Sequence, residues 1–188
     1  MREEKKYQII YADPPWSYND KMTMKGKHGV IRGAESFYKT MSLDDIKKLP
    51  IEKIADDNCS LYLWATAPLL NEALEVIKSW GFKYVNIGFC WVKKTKNGKN
   101  HCGMGYYTRG NIELCLFGVK GKVAKNVLDH SIRQVVEEKI GRHSAKPNEV
   151  RKRIIQLFGD TKRIELFARE KVEGWDVWGN EVESDIKL

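Results

Sequence analysis

No apolar run in this 188-residue chain approaches the roughly 20 residues that a membrane-spanning helix needs. No signal peptide is expected either, since Met1 leads into charged residues and then a strand-like run. These absences predict a cytoplasmic protein that neither crosses nor binds a membrane. Cysteine is sparse: Cys59, Cys90, Cys102 and Cys115 are scattered and make no C-x-x-C pair. That spacing argues against a zinc site and for reduced, mostly buried thiols, so no metal is expected. Internal repeats and low-complexity tracts are missing as well. Acidic residues are outnumbered, 25 Asp and Glu against 33 Lys and Arg, for a net charge of +8. A surplus of that sign points to a polyanionic partner and says little about fold.

What is present fits a packed globular protein: 42% of the residues are hydrophobic and six are tryptophan. The length suffices for one α/β domain with a substantial core and is short for two. Tyr7 to Ala12 (YQIIYA) is continuous, β-rich and stopped by a proline pair that cannot continue a ladder, so it reads as a buried strand. Asp13-Pro14-Pro15-Trp16 follows it. A carboxylate at the carboxyl end of such a strand lies where open α/β sheets build their sites. The prolines fix φ and lack an N–H, so the turn is stiff and offers two acceptors, the Asp13 carboxylate and the Pro14 carbonyl. Two acceptors suit a planar exocyclic amine, which has two hydrogens to donate.

Residues 17–38 form a long polar stretch without periodicity, and it begins directly at that turn. A mobile active-site lid is expected there. Ser42 is placed to cap a helix with Asp44 and Asp45 in its first turn. Ser60 to Ala65 reads as a strand, and Pro68 starts a helix ending at Gly81. Phe82 to Val92 and Leu114 to Val119 read as strands, with a weaker one over Ile132 to Val136. Pro147 and Gly159 bracket a helix whose stripe is Val150, Ile154, Leu157 and Phe158. Arg163 to Ala168 (RIELFA) is the last well-defined strand. Trp64 and Trp80 read as core.

From Lys93 to Lys125 there are seven lysines and Arg109 against one acid, Glu113. Tyr106 and Tyr107 interleave with that charge. Ammoniums for phosphates and rings for bases make residues 93–112 a candidate nucleic-acid contact loop, with Lys93, Lys94 and Arg109 among its contacts. Glu113 sits inside this stretch, either neutralising Arg109 or serving the site.

Asp13-Pro14-Pro15-Trp16 resembles the DPPW signature of the MT-A70 family of S-adenosylmethionine-dependent adenine N6-methyltransferases. Seven further blocks resemble that family in its order: FYKTMSLDDIKKLPI (Phe37–Ile51), LYLWATA (Leu61–Ala67), the strand ending WVK (Trp91–Lys93), ELCLFGVKG (Glu113–Gly121), SAKPNE (Ser144–Glu149), RIELFARE (Arg163–Glu170) and GWDVWGNE (Gly174–Glu181). The resemblance implies a single domain, residues 1–188, with a Rossmann-like α/β sheet. Its DPPW strand lies early and its cofactor strand, RIELFARE, late. It implies that Asp13 and Pro14 hold the N6 amine of adenine while Pro15 and Trp16 wall and stack against the base. Tyr38 and Glu113 are implied beside the target base, and Lys146, Arg169, Asn180 and Glu181, with Asp13, at S-adenosylmethionine.

Several features depart from the pattern. A glycine-rich cofactor loop of the kind many methyltransferases use is missing. The family's Ser-His-Lys-Pro reads Ser144-Ala145-Lys146-Pro147, with the histidine displaced to His143 or absent. A histidine-asparagine pair is replaced by Lys171-Val172, and an Asn-Gln by Asn180-Glu181. The partner implied is nucleic acid, with DNA favoured over RNA, and a homodimer or a related subunit is left open. The alternatives are an RNA-directed enzyme and a catalytically weak nucleic-acid-binding subunit. Intact Asp13 argues against the latter. Methylation of a glutamine amide, which goes with an Asn-Pro-Pro-Tyr turn, is opposed by Asp13, Trp16 and the basic loop.

Overall fold

A computed structural model describes residues 5–17, 40–103, 107–142 and 145–188. Among these residues the chain builds one seven-stranded sheet in the order β5-β3-β4-β2-β1-β6-β7. Its strands are β1 (Tyr7–Ala12), β2 (Ala55–Ala65), β3 (Lys83–Lys94), β4 (Ile112–Lys120), β5 (Val135–Lys139), β6 (Arg163–Leu166) and β7 (Asp176–Trp178). The helices are α1 (Leu43–Lys47), α2 (Leu70–Ser79) and α3 (Asn148–Phe158). The expected Rossmann-like α/β architecture is the observed one.

β1 lies inside the sheet, parallel to β2 on one side and to β6 on the other, with Ala12 opposite Leu63 and Leu166. The early strand and the late strand are therefore neighbours, and their carboxyl ends meet. β4 runs antiparallel between β2 and β3, which brings its first residues to that same edge.

Alternation along the strands separates two cores. Ile10, Ala12, Leu61, Leu63, Ile164 and Leu166 face α1 and α2, packing with Ile46, Val76, Ile77 and Trp80. Ile9, Tyr11, Tyr62, Trp64, Phe89 and Trp91 face α3 and meet Val150, Ile154 and Phe158. Period-2 side chains on a sheet buried on both faces produce this division.

Local chemistry sets the helix ends. The Ser42 hydroxyl accepts from Asp45 N–H at 3.1 Å, and Gly159 adopts φ 75° to end α3. Pro147 caps α3 one residue before its first turn. Some boundaries differ from expectation. The weak strand predicted over Ile132 to Val136 forms later, at Val135–Lys139, pairing with β3 from Cys90 to Lys94. β6 stops at Leu166 rather than Ala168 because Phe167 turns to φ 61°, which leaves the extended region.

The interior strands hold the structure and the β5 edge contributes little. Leu63→Ala, at a side chain with 0% exposure, should lower the free energy of unfolding by about 2–5 kcal/mol. Val135→Ala, 54% exposed, should change it by less than about 1 kcal/mol. Urea midpoints at unchanged m-value measure both.

Candidate active site

The turn after β1 is tied from three directions. Trp16 N–H donates to the Pro14 carbonyl at 2.8 Å, and Met41 N–H donates to the Pro15 carbonyl at 2.9 Å. Trp16 Nε1 donates to the Trp64 carbonyl at 3.0 Å. These bonds set how the turn presents its groups. The Pro14 carbonyl is not wholly free: one lone pair is used inside the turn and the other remains. Trp16, with 6% exposure, is packed against the core and braces the turn.

Four charged side chains from four segments meet at this edge of the sheet. Lys146 Nζ, on the segment leading into α3, lies 2.6 Å from Asp13 Oδ2 and 3.3 Å from Glu113 Oε2. Lys93 Nζ, at the end of β3, lies 2.5 Å from Glu113 Oε1. The charges alternate: Asp13, Lys146, Glu113, Lys93. Aromatic rings floor the two ammoniums, Trp64 beneath Lys146 at 5.6 Å and Trp91 beneath Lys93 at 5.2 Å.

Burial pushes the Asp13 carboxyl above its ordinary value, and the Lys146 ammonium pulls it back only in part. Burial acts on Glu113 in the same direction, but Lys146 and Lys93 together outweigh it and hold that carboxyl below its ordinary value. Burial works against the charge on Lys146, and the two carboxylates more than restore it.

Beside Asp13 opens a cleft of about 180 Å³ lined by Asp13, Arg142, Lys146, Arg151, Glu165, Phe167, Arg169 and Glu170, with Ala145. It lies beyond the carboxyl ends of β1 and β6, where the chain order changes direction across the sheet, the usual crevice of such sheets. Arg151 of α3 clamps Glu165 of β6 in a bidentate fork at 2.8 and 2.7 Å and lies over the Tyr11 ring at 5.4 Å. Sequence reasoning missed Arg151, Glu165, Phe167 and Glu170. The only available signal was polarity out of place, an acid inside RIEL and a cation beside Val150.

The other expected residues fall in different places. Arg169 lines the cleft and donates from Nε to Glu181 Oε1 at 2.8 Å. Asn180 and Glu181 are exposed and outside the lining. Gly179 brings them there, since a Cβ at that position would lie 2.2 Å from the Ala168 carbonyl oxygen. Lys93 turns inward to Glu113. Lys94 pairs with Glu137 at 2.9 Å and Asn100 at 2.8 Å, and Arg109 is exposed. Glu113 therefore answers Lys93 and Lys146. Tyr38, Tyr106, His143 and the lid stretch from residue 18 onward lie outside the described residues. No described helix is long and apolar enough to cross a membrane.

The family model MT-A70 matches residues 7–181. The chain is 36% identical over 189 residues to a Type II methyltransferase M.MunI from Mycoplasma sp, covering 95% of this chain and 78% of that protein. It is 28% identical over 188 residues to the human N(6)-adenosine-methyltransferase catalytic subunit METTL3, covering 95% of this chain and 28% of that protein. A putative N(6)-adenosine-methyltransferase MT-A70-like protein of Medicago truncatula is 27% identical over 193 residues. The chain spans about a quarter of the length of this last relative.

A depressed carboxyl contributes stability that is present above its unfolded value and lost as pH falls through its folded one. Glu113 has an ordinary value of 4.5 and a lower one here. The stability difference between parent and Glu113→Gln should therefore be full above about pH 4.5 and shrink below it. Urea unfolding across that range tests the sign, and a difference that grows on acidification would contradict it.

Proposed function

The chain belongs to the MT-A70 family, and from that premise we propose that it transfers a methyl group from S-adenosylmethionine to N6 of adenine in DNA. The observation that carries this reading is the half-buried Asp13 carboxylate just past the end of β1, held 2.6 Å from Lys146 at the mouth of the cleft. Residues 1–188 act in this reading as one methyltransferase domain. Residues 17–38, with Tyr38, serve as the lid over the base, and residues 93–112 meet the nucleic acid. The choice of DNA draws on the higher identity and mutual coverage with the Type II methyltransferase.

The cleft's donor set suits the cofactor. Lys146 and Arg142 offer charge to an amino-acid carboxylate, and Glu170 offers an acceptor to ribose hydroxyls. Arg169, with Asn180 and Glu181 beside it, extends that surface outward. At about 180 Å³ the enclosed part suits the amino-acid portion of such a ligand, below the roughly 300 Å³ of a complete small-molecule pocket. When bound, S-adenosylmethionine supplies an electrophilic methyl group on a sulfonium.

Adenine N6 is a poor nucleophile because its lone pair is delocalised into the ring. Asp13 and the second lone pair of the Pro14 carbonyl accept its two hydrogens, favour a pyramidal nitrogen and stabilise the positive charge that develops. No strong base is needed, since the proton on N6 becomes acidic once the nitrogen carries the methyl group. It passes to the Asp13 carboxylate that accepts it, and from there to water. Lys146 holds Asp13 in the absence of substrate, and the incoming amine takes that place. Glu113, 3.3 Å from the same ammonium, keeps Lys146 neutralised as it yields. The braced turn means that the acceptors need not be ordered anew when the base arrives.

Asp13→Ala should reduce methyl transfer by at least about a hundredfold, the scale of losing one preorganised electrostatic group. Calorimetric binding of S-adenosylmethionine should persist. Arg169→Ala should instead weaken cofactor binding and leave DNA retention on a gel unchanged. Near-normal turnover by Asp13→Ala would remove the basis of the mechanism.

A further inference from the structure

The connection between β3 and β4 divides into two lobes on one stem. Lys93 N–H donates to the Asn111 carbonyl and His101 N–H donates to the Lys93 carbonyl, both at 2.8 Å. The strand end that carries Lys93 is thus bonded to both returning stretches of chain. The first lobe closes where Thr95 N–H meets the Lys99 carbonyl at 2.8 Å, with Gly98 at φ 76°, and it carries exposed Lys96 and Lys99. The second closes where Gly103 N–H donates to the Gly110 carbonyl at 2.9 Å. A Cβ at Gly103 would lie 2.4 Å from that same oxygen, so glycine is required for the closure.

Tyr107 stands on the second lobe with 101% exposure. Its environment is unusual for an aromatic ring in this chain: Trp16, Trp64, Trp80, Trp91 and Trp175 are all buried. Among the described residues the ring packs into neither core, and leaving it in water forgoes a large apolar burial. Position gives it a use. Tyr107 lies six residues from Glu113, within roughly 20 Å of it by chain reach, and the stem beneath it ends at the charge cluster of the site.

We propose that Tyr107 is a wedge for duplex DNA, its ring entering the stack where the target adenine leaves. The inference rests on the adenine methyltransferase reading and adds how a paired base reaches the site. A base inside a duplex must be unstacked and unpaired before its exocyclic amine can be methylated, and a ring that fills the gap recovers part of that cost. Lys96 and Lys99, on the neighbouring lobe, meet backbone phosphates and fix the tip's height on the duplex. The cations on both lobes favour nucleic acid over an apolar protein surface.

The test compares two pools of DNA duplexes with one fixed adenine in randomised flanks, paired with thymine in one pool and opposite an abasic site in the other, with methylation read at the fixed position. Initial methylation rates are measured for the parent, Tyr107→Ala and Tyr107→Trp. The exposed position means that both variants should keep the parent's thermal midpoint. Tyr107→Ala should lose about tenfold or more on the paired duplex and stay within about twofold of the parent opposite the abasic site. Tyr107→Trp should retain both rates. Equal losses on the two substrates, or no loss on the paired one, would overturn the wedge while leaving the chemistry intact. Failure of the parent to methylate either duplex would overturn the methyltransferase reading and the wedge with it.

Discussion

The Lys146 ammonium, 7% exposed, stands between Asp13 and Glu113 and favours the ionised form of both carboxylates, with Lys93 adding to its effect on Glu113. A lone buried carboxylate takes up a proton instead. A protonated Asp13 would lose its charge and with it much of its strength as an acceptor. The cation therefore biases the site toward its ionised form. It also joins the end of β1, the start of β4 and the segment entering α3, three pieces far apart in the chain.

The same economy appears at the Arg151–Glu165 pair. Both side chains are nearly buried, and breaking such a pair by removing one partner costs on the order of 3–5 kcal/mol. The pair links α3 to β6 and lines the same cleft as Asp13. Cleft geometry therefore depends on charge compensation as much as on apolar packing. Apolar packing supplies the frame: two cores on opposite faces of the sheet hold β1, β2 and β6 in register. Their carboxyl ends then face one crevice.

The basic connection between β3 and β4 draws a line between charge that builds the site and charge that faces outward. Lys93 and Lys94 have carboxylate partners in Glu113 and Glu137. Lys96, Lys99 and Arg109 lie on the exposed lobes. A run of like charges in sequence becomes two groups because Lys93 and Lys94 end a paired strand beside carboxylates of its neighbours, whereas the others lie on the loop beyond it.

By itself the sequence determined the elements and the chemistry available. Apolar runs closed by prolines marked β1 and the helix starts, period-2 and period-3.6 patterns marked their buried faces, and Asp13-Pro14-Pro15-Trp16 marked the turn. Those are short-range effects, in which a residue's neighbours in sequence decide its backbone. It did not reveal that Trp16 points inward or that Phe167 ends β6 early. It also left open whether Glu113 answers Arg109 or serves the site. Nor did it give Arg151 and Glu165, whose charges suggested surface. Phe167 aside, tertiary structure decided these because each depends on partners 14 or more residues away: the Trp64 carbonyl for Trp16, Lys146 and Lys93 for Glu113, and Glu165 for Arg151. A buried charge is tolerable only where the fold delivers its opposite, and that delivery is set by strand order, which no local pattern encodes.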